Sequence, residues 1–271
     1  ASLAEDQPLP RPVAFVFQPA EEGGAGGRCM VEDGCLDGRL LGPPVERMFG
    51  LHGWPALPEG VVGSRPGPLL AAADKFRITV TGRGGHAAMP QTTADPIAAA
   101  ATIVTTLQQA VSRRVDPVQG GVISITVIRG GDAFNVIPQT CVLEGTVRAL
   151  YPEAHDVLKS CVESMPATLA SALGCQAEVD YHVGYPVTRN DEGATAHFHE
   201  LAREVLGSDR VHPIEFPIMG GEDFAFYGQV VPACFFGLGL CPEGTEVMPS
   251  LHHPAFDFND RALATGVELF C

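Results

Sequence analysis

Glu21 and Glu22 stand side by side, directly after the apolar run Val13–Phe17 and before the glycine-rich stretch Gly23–Gly27. Two adjacent carboxylates repel each other unless a cation or a proton separates their roles. One can then ligate a metal while the other works as a general base. The same pair can also be a solvated acidic turn. His52 follows a second apolar run, Val45–Leu51, and precedes Trp54; its residue context fits a ligand or a packed, capping histidine. His252 and His253 lie in Leu251-His252-His253-Pro254, ahead of an aromatic and acidic stretch. His86 sits in Gly84-Gly85-His86-Ala87-Ala88, where glycines allow a backbone to approach a ligand closely or simply to turn in solvent. One Glu with two His is a borderline-hard donor set suited to Zn²⁺, Mn²⁺ or Co²⁺. None of these spacings is a local metal motif, and H-E-x-x-H is absent. Other chemistries lack their signatures. There is no G-x-S-x-G elbow, and Gly23–Gly27 is neither G-x-G-x-x-G nor followed by a P-loop lysine. His197, His199 and Glu200 read as one solvated helix face.

The elements that must position these residues follow from apolar patterning. VAFVF is unbroken, β-branched and aromatic, the pattern of a strand buried on both faces of a parallel sheet. Ligands of open α/β sheets bind at the carboxyl ends of such strands, which is where Glu21 and Glu22 stand. Val45–Leu51 reads as a short strand closed by His52, and Val61–Pro68 as a connection. From 75 to 183 the pattern changes. Lys75–Thr81, Gly121–Ile128 and Gln139–Val147 alternate at period 2, as strands with one wet face do. Asp95-Pro96 starts a helix, with Asp as N-cap and Pro at the first position. Pro152 opens another helix to about Ala172, which Pro166 is expected to kink or split. Gln176–Val183 closes the stretch as a strand. The order is β-α-β-β-α-β, a ferredoxin-like α+β unit. Asp191–Leu206 reads as an amphipathic helix ended by Gly207, Pro232–Leu238 as an apolar strand and Asp260–Phe270 as a last helix. The fold class is α/β, with 1–72 and 186–271 pairing into one domain and 73–185 inserted in it.

The chain has 271 residues, with 17 Lys+Arg against 32 Asp+Glu and a formal charge of −15. That field repels a phosphate backbone and excludes nucleic acid as a partner. No run of about 18 apolar residues exists, so no membrane span is expected. The opening ASLAEDQPLPRP shows no basic-then-apolar signal region. Eight cysteines with no C-x-x-C pair and no N-x-[ST] sequon read as thiols in a reducing, cytoplasmic setting.

FQPAEEGGAGG, GLHGWP, TGRGGHAAMP, DPI, FNVIP with GTVR downstream, GGEDFAFY and LHHP occur in that order. Together they resemble the M20 metallopeptidase family over essentially the whole chain. The likeness is to its amidohydrolase branch of hippurate hydrolases, N-acyl-amino-acid deacetylases and auxin-conjugate hydrolases. The resemblance implies Glu21 as general base, Glu22 as a metal carboxylate, and His52 and His252 as metal histidines. It implies His86 as a satellite-domain histidine that meets the scissile carbonyl or a partner subunit. Asn135 and Arg148 become polar positions that hold a substrate carboxylate. It implies two divalent ions, Zn²⁺, Mn²⁺ or Co²⁺, in the complete site, and hydrolysis of the amide of N-acyl amino acids or small peptide-like conjugates. It also implies a homodimer formed through the satellite domain. The family pattern places an H-x-C-G-H-D-like segment upstream of FQPAEE, and none of the eight cysteines has such a context. The chain is therefore expected to be incomplete at its N-terminus relative to that pattern. A non-catalytic relative that binds acyl amino acids or acts by dimerising is the alternative expectation.

Overall fold

The computed structural model describes residues 12–40 and 42–271. The opening stretch, up to residue 11, lies outside the described residues. A helical turn at Glu21–Gly24 comes first. The remaining helices and strands are α1 Gly26–Asp33, β1 Met48–Pro58, β2 Val62–Ser64, β3 Gly67–Leu70, β4 Ala72–Thr81, β5 Gly85–His86, α2 Pro96–Arg114, β6 Gly121–Gly130, β7 Val136–Ile137, β8 Thr140–Ala149, α3 Pro152–Ala172, β9 Gln176–Tyr185, β10 Thr188–Asn190, α4 Glu192–Leu206, β11 Val211–Pro213, α5 Ala225–Gly228, β12 Ala233–Cys241 and α6 Ala262–Phe270. They divide into two compact units. The first takes the chain up to Leu69, Thr188–Pro217 and Asp223–Cys271; the second takes Leu70–Val187 and Ile218–Glu222.

The first unit is built on a mixed sheet of order β1-β12-β2-β11. β12 runs parallel to β1 from Met48↔Ala233 to Trp54↔Gly239 and antiparallel to β2. Its residues up to Leu240 are all buried, as expected of a central strand that reads as one apolar run. Phe236, Leu238 and Leu240 pack with Phe198, Ala202 and Leu206 of α4 and Ala262 of α6. A Cβ at Gly237 would come 3.0 Å from the Trp54 ring, so glycine there lets the indole lie on the strand.

Three expectations change here. Val13–Phe17 is not a strand: no described strand pairs with it, and Phe15 and Phe17 are exposed. Without a ladder partner, apolar composition alone does not make a strand. His52 does not close its strand. β1 continues to Pro58 because Gly53 and Trp54 keep pairing with Leu238 and Gly239. Val61–Pro68 is not a plain connection, since Val62–Ser64 pairs with β12 and β11 and is fully buried.

The second unit is an antiparallel sheet of order β6-β8-β4-β9. Two helices cover it, in the sequence β-α-β-β-α-β. Ile103 and Leu107 of α2 and Leu158 and Val162 of α3 are fully buried against Ile78, Val80, Leu143 and Val147. Each such side chain contributes about 1.5–3 kcal/mol by leaving water. Asp95 caps α2 by accepting from the Ile97 and Ala98 main-chain nitrogens at 2.9 and 3.3 Å. α3 is not split at Pro166. The residue is buried between Val162 and Ala170, whose packing holds the helix across the missing N–H.

Beneath α3 lies a polar group in the core. Asp74, fully buried, accepts from His155 Nε2 at 2.5 Å, the Tyr181 hydroxyl at 2.6 Å and the Gly184 main-chain N–H at 2.9 Å. Burial pushes the Asp74 carboxyl up, but these donors outweigh it and hold it below the usual carboxylate range. The bond to Asp74 raises His155 against the effect of its own burial.

Candidate active site

Glu21 and Glu22 are carried on a turn whose backbone is forced into uncommon shapes. Ala20 and Ala25, on either side of it, have φ of 58° and 51°. An L-residue other than glycine in this left-handed region costs about 1–2 kcal/mol. Between them Glu22 is non-helical and Gly23 takes φ 88°. α1 begins directly afterwards, at Gly26.

Asp223 holds this turn from both sides. Its carboxylate accepts from Gln18 Nε2 at 2.8 and 2.9 Å and from the Gly27 main-chain N–H at 2.9 Å. Tyr227 in turn donates its hydroxyl to Gln18 Oε1 at 2.8 Å. That bond orients the amide, leaving Nε2 for Asp223. Asp223 and Tyr227 are both buried. Burial pushes the Tyr227 hydroxyl well above its ordinary range, so it stays a donor. A Cβ at Gly27 would fall 2.7 Å from the Asp223 carbonyl oxygen and 3.0 Å from Gln18 Oε1, so only glycine fits where the loop meets Asp223.

Carboxylate oxygens of Glu21 and Asp223 lie within 4.8 Å of one another. Burial pushes the Glu21 carboxyl up, and the charges of Asp223 and Glu22 add to it. His52 and a hydrogen bond from the Asp223 main chain pull the other way without cancelling the rise. A carboxyl raised in this way approaches the pKa useful to a general base.

His52 sits in mid-strand, paired with Gly237. Its Nδ1 lies 2.8 Å from the Gly53 carbonyl. That bond places the ring proton on Nδ1 and leaves Nε2 as a lone-pair donor, the usual arrangement of a metal-binding histidine. Glu22 is exposed, and His252 stands on an exposed turn with φ 64°. Among the described residues, Glu22, His52 and His252 do not form a group whose ligand atoms all lie within 4.8 Å of one another. Their donor types fit a divalent cation, and the His52 ring is presented as a ligand would be.

The remaining candidates lie in the second unit. His86 pairs with Val136 across the β5–β7 ribbon, and the Ala87 N–H donates to the Asn135 carbonyl at 3.0 Å. His86 and Asn135 are thus neighbours through their main chains. Arg148 lies elsewhere in the unit. The ribbon joins the sheet near Thr140, and Arg148 is eight residues farther along β8, about 27 Å away at strand rise. Arg148 Nε donates to Thr146 Oγ1, which donates to the Asp74 carbonyl at 2.7 Å.

Gln18, Asp223 and Tyr227 carry no assigned role in the sequence reading. The motifs FQPAEE and GGEDFAFY contain them, but Gln18 and Asp223 are separated by 205 positions, and no local pattern links two such segments.

The pattern of the peptidase family M20/M25/M40 matches residues 1–271. N-acetylcysteine deacetylase of Bacillus subtilis is 40% identical over 258 residues, which cover 95% of this chain and 64% of that protein. IAA-amino acid hydrolase ILR1-like 4 of Arabidopsis thaliana is 38% identical over 268 residues, 97% of this chain and 59% of that protein. The crystal structure of Bacillus subtilis YXEP, described as a dinuclear metal binding peptidase from the M20 family, superposes with a TM-score of 0.73 at 33% identity, covering 94% of this chain and 62% of that one. This chain therefore spans about three fifths of the length of these relatives. Its likeness runs through both units at identities that fold alone does not require, and the chain belongs to the peptidase family M20/M25/M40.

Proposed function

We propose that the chain serves a metal-dependent amidohydrolase that cleaves the amide bond of N-acyl amino acids or small peptide-like conjugates. The observation that carries this reading is the setting of Glu21: a half-buried carboxyl at a strained turn, beside His52 and braced by Asp223. The names of the relatives, a deacetylase of N-acetylcysteine and a hydrolase of IAA–amino acids, point to the substrate class. In this reading the stretches 1–72 and 186–271 form the catalytic domain and 73–185 the satellite domain.

Glu22, His52 and His252 are the residues that would hold divalent metal, Zn²⁺, Mn²⁺ or Co²⁺. A bound divalent cation polarises a carbonyl and lowers the pKa of water. Glu21 takes the proton from the attacking water on a carboxylate oxygen and delivers it to the leaving amide nitrogen. His86 stabilises the negative charge that develops on the carbonyl oxygen as water adds to the carbonyl carbon. The Arg148 guanidinium can pair with both oxygens of the substrate carboxylate, and Asn135 adds an amide donor. The separation of Arg148 from the His86–Asn135 ribbon supports a homodimer, in which His86 and Asn135 reach a second copy's substrate.

Glu21→Gln tests the reading. The variant is expected to keep bound metal, measured by elemental analysis after dialysis, and to lose about 10²–10⁴ in kcat on N-acyl amino acids. Unchanged turnover removes Glu21 as the base. The absence of a three-ligand group at Glu22, His52 and His252 favours a second reading, a binding protein without catalysis. Metal-dependent turnover by the wild type decides between the two.

A further inference from the structure

We infer that Asp223 is a positioning residue for Glu21, and that Gln18 and Tyr227 complete the device through which it acts. The inference rests on the reading of Glu21 as general base. Three observations lead to it.

The first is topological. Asp223 bonds to Gln18 ahead of the Glu21–Gly24 turn and to Gly27 behind it. Both ends of a ten-residue loop are thereby fixed to one carboxylate, and a hydrogen bond from the Asp223 main chain reaches Glu21 itself. The second is conformational. Ala20 and Ala25 hold left-handed angles that alanine avoids. Such strain persists only where the surroundings over-determine it, and it concentrates at sites that need a fixed geometry. The third is chemical. Asp223 is completely buried and, among the described residues, forms no ion pair. Its charge is met instead by Gln18 Nε2, which reaches both carboxylate oxygens, and by the Gly27 N–H. A buried carboxylate of this kind is costly to keep unless its donors stay in place. The Tyr227 hydroxyl guards against the alternative, because it would meet an N–H if the Gln18 amide turned over.

This chain of bonds explains why a rigid Glu21 does not need a long helix or strand beneath it. An error of about 1 Å in a catalytic group can cost about 100-fold in rate, and the clamp removes the freedom that would permit it. Asp223 does not touch the substrate in this scheme; it acts through the position of Glu21.

The test is a donor–acceptor swap, read in two ways. Asp223→Asn turns an amide toward the Gln18 amide or the Gly27 N–H. Gln18→Glu sets two carboxylates face to face. In the double variant the amide at 223 donates to the carboxylate at 18 and still accepts from Gly27, and Tyr227 still donates to position 18. Hydrogen–deuterium exchange of the 19–27 amides is expected to quicken about tenfold or more in each single variant, the cost of an unmet buried polar group, and to return toward wild type in the double. Turnover of an N-acetyl amino acid with added divalent metal is expected to fall about 100-fold in kcat in each single variant, with KM and bound metal unchanged, and to recover in the double. Tyr227→Phe preserves packing and is expected to move both readouts in the same direction by about fivefold.

Exchange that does not change in the single variants, or a double variant no better than either single, overturns the clamp. A loss expressed in KM, or exchange that quickens while kcat holds, overturns the positioning role. A wild-type chain without turnover removes the catalytic consequence together with the functional reading, and the exchange measurements still decide the clamp.

Discussion

Asn190 shows how far a single side chain can reach in the first unit. Its Nδ2 faces Ser64 Oγ at 2.9 Å, the Arg65 carbonyl at 3.0 Å and the Phe235 carbonyl at 2.9 Å, while its Oδ1 accepts from the Phe235 N–H at 2.8 Å. It is buried and satisfies main-chain groups of β12 at Phe235. Asn190→Ala leaves the Phe235 N–H without that acceptor, while Ser64 Oγ still donates to the Phe235 carbonyl, and is expected to cost about 1–3 kcal/mol, read as a lower urea midpoint at unchanged m-value. Asn190→Asp is expected to cost more, because a carboxylate has no N–H to donate and turns an oxygen toward the Arg65 and Phe235 carbonyls; equal stability of Asp and wild type would refute the account. At this scale the candidate site was partly legible in sequence. Glu21, Glu22 and His52 stand out because residue type and a neighbouring apolar run coincide. Gln18, Asp223 and Asn190 do not, because an amide or a carboxylate far along the chain from its partners has no period or spacing to betray it.

The second unit's elements are tied by the Asp74–His155 pair, and their coupling to pH follows from the directions of the two shifts. His155 is raised, so its contribution is full below its unfolded pKa of about 6.5 and is lost as pH rises through the folded value. Asp74 is lowered, so its contribution is full above its unfolded value of about 3.9 and is lost as pH falls through the folded one. Stability of this unit is therefore expected to be greatest between about pH 4 and 6.5 and to decline on either side. His155→Gln should flatten the decline on the alkaline side, as measured by thermal melts across pH; an unaltered profile would remove the pair as its cause. The surrounding architecture was readable from sequence for a physical reason. An antiparallel sheet with one wet face alternates at period 2, as β4 does with Phe76, Ile78 and Val80 buried and the residues between them more exposed, and helices capped by Asp95 and opened by Pro96 and Pro152 announce their starts. VAFVF misled because strand character depends on a partner, and β2 was missed because Gly63 and Ser64 break its apolar run.

At the scale of the whole chain, charge and exposed apolar surface pull in opposite directions. The formal charge of −15 keeps copies apart, yet Phe134 is fully exposed and Met89, Ile128 and Val136 of the same unit are largely so. Large apolar side chains left exposed on one unit suit a surface for association. Sedimentation equilibrium is expected to give twice the 28.6 kDa of one chain, and Phe134→Glu to shift the balance toward one copy; monomer at all concentrations would remove the proposed dimer. The span between Gln18 and Asp223 has a consequence for how the molecule is made. The second unit's contacts close within the middle of the chain, but the turn bearing Glu21 waits for a residue 205 positions downstream of Gln18. At about 5–20 residues per second of synthesis, a ribosome takes about 10–40 seconds to supply it. For that interval a nascent chain carries Glu21 on an unfastened loop, and the turn takes its fixed shape only once Asp223 has been added.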